Sequence, residues 1–383
     1  MLLGINLALL IGSPGSTQLS AAPKPLIEAL KSVEVTNRDD GPDGFELSFS
    51  MGRSGPAEPP DYPLFSNALL KPFSRVIIKV ILGATPYILI NGIITYEQFI
   101  PSNEPGQSNL RITGEDISVL MDRDDNPIVH PKQSDPDIIK EIINKYKKYI
   151  FKADVIEPSS FEQPSDRDRT PSQQTTDRDH IVSLASKYNY VFYVEPNTTE
   201  KGKVTAYWGP PKISKNIQKP LTFNMGPDSN IPQPISFQYN PLSPTFFKGS
   251  IHDRNTHRIT EIVTNTSKRT RMTNIPSWTV YKEFARHKQF RTTGGLTYEQ
   301  AINQAQSETD KSMDVITANG ELDTLRYGDI LRARGLVGLR GVGFQYDGYY
   351  YVKSVTHQIR RGDYKQSFTL TRDGLKSNTM RLT

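Results

Sequence analysis

The stretch "ITGEDISVLMDRDDNPIVH", residues 112–130, holds five acids within eleven positions, a group that raises the question of a metal site. Asp122, Asp124 and Asn126 reproduce the D-x-D-x-N opening of a calcium loop. Such a loop then needs glycine at its sixth place and a bidentate carboxylate at its twelfth. Pro127 and Gln133 stand there instead. Proline cannot take the positive φ of the sharp turn, and glutamine is no anion. Glu115 and Asp116 are adjacent, so on a strand they face opposite ways. Glycoside cleavage needs two facing carboxylates about 5–9 Å apart. A carbohydrate-active enzyme built around Glu115 or Asp122 is therefore the weakest of three functional readings.

The remaining candidates also lack parts. His252 and His257 are five apart with Asp253 between them, where helical zinc pairs use three or four, so they read as a polar turn. His357 lies in an alternating strand and reads as a half-buried polar residue. Gly341 and Gly343 lack the third glycine of a dinucleotide loop and precede a strand, which makes them a turn. The chain has no G-x-S-x-G elbow, phosphate-binding P-loop or H-E-x-x-H. The Arg-Gly-Asp within "RRGDY" joins two expected strands, and the sequons at Asn197 and Asn265 matter only in a secreted chain. Lys268, Arg269 and Arg271 form a basic cluster without interleaved aromatics, so it lacks the pattern of a single-strand binder. No catalytic residue, metal or cofactor is expected.

Composition points to architecture. The 383 residues suggest two or three domains, and 18 Tyr, 16 Phe, 28 Pro and 26 Gly suit many short strands joined by turns. Absence of cysteine removes disulfides and thiolate chemistry, and fits assembly in a reducing cytoplasm. Residues 251–383 carry 21 Lys and Arg against 13 Asp and Glu, so this part is basic and the remainder slightly acidic. A nucleic-acid-binding β-protein using that basic half is the second reading. "MLLGINLALLIG" resembles a signal-peptide core, but no basic residue precedes it, and it is short of the ~20 residues of a membrane helix. We expect a soluble chain without membrane insertion, its apolar N-terminal arm packed on its own core or on a neighbour.

Residues 1–122 read as strands, with "RDDGPDG" joining one hairpin and Asn91-Gly92 marking the turn of another. Residues 123–222 read as a small α+β unit. Its first helix carries Ile138, Ile139, Ile142, Ile143 and Tyr146 inward, its second Ile181, Leu184, Ala185 and Tyr188, and 157–176 is an exposed loop. Residues 223–383 return to strands, with a helix near 297–311 that opens on a Thr297–Gln300 capping box. "NGIITYEQFIPSNEPGQSNLRITGED" and "DGYYYVKSVTHQIRRGDYKQSFTLTRDG" share an order of elements: a Gly turn, an apolar strand, a polar loop and a return strand. Aligned on Gly92 with Gly348 and on Thr113 with Thr371, they indicate a duplication. The acidic stretch is then the end of a repeated strand pair, followed by a polar exit.

"DTLRYGDILRARGLVGLRGVGFQYDGYYYVKSVTHQIRRGDYKQSFTLTRDG" resembles the late control D family, the baseplate hubs of contractile phage tails, related to the hub part of type VI secretion spike proteins. The family pattern maps onto Leu325 to Gly328, Gly341 to Gly343, Gly348 through His357, Tyr364 and Arg372. "DRDHIVSLASKYNYVFYVE", "AYWGPP" and "PLIEALKSVEVTNRDDGPDGFELSFSM" extend the likeness over most of the chain. The resemblance implies a mainly β fold, two related antiparallel β-barrel, tube-type domains flanking the small α+β domain. It implies a non-enzymatic structural hub assembled in the bacterial cytoplasm as part of a phage tail or injection-system particle. The hub would be a homotrimer, a symmetry adaptor between a sixfold inner tube and a threefold central spike. Its partners would be the tube protein, a spike protein on a separate chain, other baseplate proteins, and a tape-measure protein or cargo. Candidate contacts are the N-terminal arm (Leu2, Leu3, Ile5, Leu7), the loop from Gly335 (Gly335, Leu336, Val337, Gly338) and the C-terminal tail (Leu375, Met380, Leu382).

Overall fold

The computed structural model describes residues 5–16, 18–52, 62, 64–104, 106–161, 163–164, 170–197, 202–213, 217–254, 256–291 and 295–376. The chain opens with β1 (Ile5–Gly12), β2 (Ser20–Ala21), the short helix α1 (Lys24–Ala29), β3 (Leu30–Arg38), β4 (Gly44–Met51), β5 (Arg75–Leu82), β6 (Thr85–Ile100) and β7 (Ser108–Asp116). They pair antiparallel in the order β2-β1-β5-β6-β7-β4-β3. Alternation sets the inner face: Phe45, Leu47 and Phe49 of β4 and Leu110 and Ile112 of β7 are buried in one core. The apolar arm packs on that same core as β1, with Ile5 opposite Leu82 and Leu7 opposite Val80.

Asn91-Gly92 is not a turn. Both residues are buried in the middle of β6, where Gly92 stands between Val76 of β5 and Asp116 of β7. A Cβ on Gly92 would lie 2.3 Å from the Glu115 carbonyl oxygen and 2.9 Å from the Phe45 ring, so close packing requires this glycine. The hairpin turns at Gly83-Ala84 instead, with Gly83 at φ 61°.

The middle of the chain contains β8 (Ile128–Val129), α2 (Asp135–Lys145), β9 (Ile150–Val155), β10 (Ser172–Gln173), α3 (Asp177–Lys187), β11 (Val191–Pro196) and β12 (Val204–Gly209). Ile138, Ile139, Ile142 and Ile143 of α2 meet Ile181 and Ala185 of α3 over Trp208. Ile93, Ile117 and Met121 join this core from the first half, so the two units share apolar surface. Ser134 precedes α2 but its hydroxyl donates to Asp137 at 2.6 Å rather than capping the helix.

The remainder forms β13 (Gln218–Thr222), β14 (Ser236–Tyr239), β15 (Thr245–His252), β16 (Ile259–Val263), α4 (Ser277–Val280), β17 (Arg286–Gln289), α5 (Tyr298–Lys311), β18 (Ile316–Asp323), α6 (Thr324–Tyr327), β19 (Leu336–Arg340), β20 (Gly348–Arg360) and β21 (Asp363–Arg372). Six strands run in the order β13-β19-β20-β21-β18-β14 around a core that includes Tyr350, Val352 and Leu370. Between β14 and β18 the chain builds a separate three-stranded sheet, β16-β15-β17, on which α5 packs through Ala301 and Ala305. The Thr297–Gln300 capping box is made in both directions.

The two sheet halves are continuous. From Ser354 onward β20 leaves β19 and pairs with β3, from Ser354 opposite Arg38 to Arg360 opposite Ser32, giving one 13-stranded sheet. A bulge at Lys353 marks this change of partner, and the corresponding bulge in β6 falls at Thr95, where β5 ends. Matching the bulges pairs Gly92 with Tyr350 and Thr113 with Thr369. Each strand is thus two residues from the alignment made on glycine and threonine, a shift that preserves which side chains face inward.

Candidate functional site: a bolted junction and open strand edges

Two acids of the stretch, Glu115 and Asp122, share one arginine from α3. The Arg178 guanidinium, only 17% exposed, donates to Glu115 Oε2 at 3.0 Å and reaches Asp122 Oδ2 at 2.6 Å. Asp122 also accepts the Thr176 hydroxyl at 2.7 Å, next to the start of α3. Both carboxylates named for chemistry therefore fasten α3 to the end of β7. Among the described residues no group of three His, Asp or Glu side chains is arranged to hold a metal ion. Asp253 fixes the turn carrying His257, and its other oxygen accepts the Tyr298 N–H at the start of α5, consistent with a polar turn.

The central constellation lies where the first half, second half and middle unit meet. Arg334, at φ 66° just before β19, sends Nη2 to Asp43 Oδ1 at 2.5 Å and Nε to the Arg38 carbonyl at 3.0 Å. Its guanidinium carbon sits 4.0 Å from the centre of the Tyr193 ring on β11. Both charged side chains are buried, 8% exposed for Arg334 and 3% for Asp43. Burial opposes the charge on Arg334 most strongly, but Asp43, Tyr193 and Asp116 together outweigh it and raise the guanidinium pKa. Asp43 also accepts from Asn37 at 2.9 Å and from the Arg38 N–H at 3.0 Å. Asp116 takes the Asp43 N–H at 2.6 Å and the Ser118 N–H at 2.8 Å; burial, then the Asp43 charge, push its carboxyl up to about 6. Asp39 is likewise raised to about 6 by burial, against the attraction of Lys353. One arginine thus ties all three units together.

The residues carrying the C-terminal pattern are scaffold. Arg372 is fully buried, donating to the carbonyls of Gly374 at 2.7 Å, Asp347 at 2.9 Å and Gln345 at 2.8 Å. It therefore holds the loop between β19 and β20. Within that loop Gly341 has φ 84° and passes so close to the Phe223 carbonyl that any Cβ would overlap it. His357 is buried rather than half-buried; it meets the Tyr364 hydroxyl at 2.8 Å, and burial lowers its pKa to about 3. Gly328 ends α6 at φ 67°, and Tyr327 donates its hydroxyl to the Lys219 carbonyl at 2.7 Å.

The expected contact residues divide. Leu2, Leu3, Met380 and Leu382 lie outside the described residues. Ile5 and Leu7 are half-buried in β1, and Leu375 is half-buried against the second core. The stretch from Gly335 is not a free loop: Leu336, Val337 and Gly338 are buried in β19, between β13 and β20. Its alternating small and apolar residues mark an interior strand, a signal obscured by the flanking glycines. The basic cluster is also partly committed, since Arg269 pairs with Asp314 at 3.0 Å and donates to the Asp310 carbonyl at 3.1 Å. No residue on an open strand edge was singled out from the sequence, and two such edges belong to β14 and β6. Among the described residues, β14 pairs only with β18, and the Tyr96–Ile100 part of β6 only with β7. Tyr96 and Ile100 are 58% and 42% exposed there. No described helix is long and apolar enough to cross a membrane.

No family model matches the chain, and no curated protein matches it in sequence. Solved structures do match. The tail protein from Neisseria meningitidis MC58 superposes with a TM-score of 0.64 at 14% identity, over 97% of this chain and 98% of that one. The 43 kDa tail protein of prophage MuSo2 from Shewanella oneidensis gives 0.63 at 12%, covering 97% of this chain and all of the other (100%). The E. coli c3393 protein, described as a type VI secretion component similar in structure to the T4 tail proteins gp27 and gp5, gives 0.52 at 11%, over 89% and 73%. The chain has the fold of these phage tail and secretion-system proteins, in agreement with the hub family that its C-terminal pattern resembles.

Proposed function

We propose that the chain is a non-enzymatic baseplate hub of a contractile tail or injection machine. It assembles as a homotrimer and joins a sixfold inner tube to a threefold central spike. The observation carrying this reading is the repeated strand order, β1-β5-β6-β7-β4-β3 and β13-β19-β20-β21-β18-β14, within one continuous sheet. Three chains with two such halves each present six near-equivalent units to a sixfold tube. The domain division at 122 and 222 belongs to the same proposal, the middle unit bracing the two halves through Arg334 and Tyr193. The tube and spike proteins are the immediate partners, with other baseplate proteins and a tape-measure protein or cargo beyond them. Assembly takes place in the bacterial cytoplasm as part of the particle.

Native mass spectrometry of the purified chain tests this reading. A mass of three times 43.1 kDa supports the hub, and a chain that stays monomeric at micromolar concentration and does not nucleate tube protein overturns it.

A further inference from the structure

The junction bolted by Arg334 also holds a cavity of about 440 Å³, bounded by the turn after β3, by α3, by β11 and by β20. Small-ligand sites occupy roughly 300–1,000 Å³, so its size suits a small organic group. The charges around it do not balance. Four basic side chains line the cavity, and each is already held by a carboxylate. Arg178 holds Glu115 and Asp122, and Arg269 pairs with Asp314 at 3.0 Å. Lys353 lies 3.6 Å from Asp40, and Lys311 lies 3.5 Å from Glu308. Two further lining acids, Asp39 and Asp116, form no ion pair among the described residues. The hydroxyls of two tyrosines are also left over. Tyr193 and Tyr351 line the cavity and are each 3% exposed, and neither hydroxyl has a hydrogen-bond partner. The Tyr351 hydroxyl stands beside Asp39, yet Asp39 Oδ1 is itself without a donor. Buried polar groups are normally satisfied, so a donor is missing here.

We propose that this cavity binds an organic cation, an alkylammonium or guanidinium group. Asp39 anchors it, Asp116 adds negative charge, and the Tyr193 and Tyr351 hydroxyl oxygens accept its N–H groups. Such a ligand supplies the positive charge and the donors that the cavity lacks. The walls suit it as well. Val182, Phe192 and Pro211 offer apolar surface to an alkyl stem, and Tyr190 offers an aromatic ring to the charge. A bare metal ion is a poorer match, because it needs several converging ligands, and no such group of His, Asp or Glu occurs among the described residues. A free amine and the lysine or arginine side chain of a partner protein present the same chemistry. The inference goes beyond the hub reading, and neither depends on the other.

Isothermal titration calorimetry of the full chain tests this with two probes, 1,4-diaminobutane and the blocked peptide acetyl-Gly-Lys-Gly-amide. Saturable binding of one ligand per chain is expected. Asp39→Asn should weaken it about tenfold or more, and Tyr351→Phe by a smaller factor. Burial holds the Asp39 and Asp116 carboxyls at about 6, so a cation should bind on the order of tenfold more tightly at pH 8 than at pH 5. Asp39→Asn removes a buried, unpaired charge and should unfold at no lower a urea midpoint than the parent at pH 7, so lost binding is not lost folding. Glu299→Gln, at the opposite end of α5 from Lys311, controls for net charge and should bind as the parent does. Tighter binding of the diamine supports the site with a free amine as its ligand. Tighter binding of the peptide supports it with a partner's side chain. No saturable binding of either probe at millimolar concentration overturns the proposal. So does unchanged affinity in Asp39→Asn, or an equal loss in Glu299→Gln.

Discussion

Replacing Arg334 by methionine is expected to loosen the junction of all three units at once. The substitution keeps an apolar stem of similar length but removes the guanidinium that touches Asp43 at 2.5 Å and the Arg38 carbonyl at 3.0 Å. Breaking a buried ion pair by deleting one partner costs about 3–5 kcal/mol, chiefly because the surviving charge is stranded. Asp43 keeps two donors, Asn37 and the Arg38 N–H, so the lower end, about 3 kcal/mol, applies. Adding Asp43→Asn removes the stranded charge and should restore about half of that loss, giving a clear coupling between the sites. Arg334→Lys should fall between, because a compact ammonium cannot reach the carboxylate and the carbonyl together. Urea unfolding followed by tryptophan fluorescence is well suited, since Trp208 reports the middle core and Trp278 the inserted unit. A loss below about 0.5 kcal/mol in Arg334→Met, or strictly additive single substitutions, would refute the bolt.

Gly92→Ala should cost roughly 1–3 kcal/mol, read as a lowered urea midpoint, because its Cβ would strike a backbone carbonyl 2.3 Å away; an unchanged midpoint would contradict the close packing. Asp39 binds its proton more tightly folded than unfolded, so its contribution is full below about pH 4 and is lost as pH rises through about 6. Asp39→Asn should flatten that decline in urea midpoints measured from pH 4 to 7. His357 has the opposite sign: its folded pKa lies near 3, so stability falls as pH drops below about 6.5, by up to about 1.4 kcal/mol per pH unit, and His357→Gln should remove that slope. With Arg269 held by Asp314, the chain should not bind duplex DNA in low salt; binding that weakens tenfold or more between 50 and 200 mM salt would revive the nucleic-acid reading.

Much of the architecture was legible because it rests on local periodicity. The four isoleucines of α2, the capping box of α5 and the alternation of β4 and β7 each announce their element within a dozen residues. The Asn-Gly signal misled because turn propensity is local, whereas Gly92 answers to Glu115 and Phe45, both distant in sequence. β19 was hidden for a related reason, its interior position depending on β13, more than a hundred residues earlier. Arg178 and Arg334 gave no signal at all. Nothing in the residues around them indicates that one will clamp Glu115 and Asp122 while the other spans three units. The strongest sequence pattern, ending at Arg372, records how the second core is built.

The splice between β3 and β20 also fixes an order in time. Thr36 and Thr356 are 320 positions apart, so the outer edge of β3 has no partner within its own chain until nearly the whole chain has been made. At about 5–20 residues per second, that interval is roughly 15–60 s during translation. Nascent chains on one message expose the same unfilled edge side by side throughout that time. Copies whose β20 strands reached a neighbour's β3 first would be exchanged oligomers with native-looking sheets, so the yield of correct particles depends on keeping those edges apart until residue 360 has emerged.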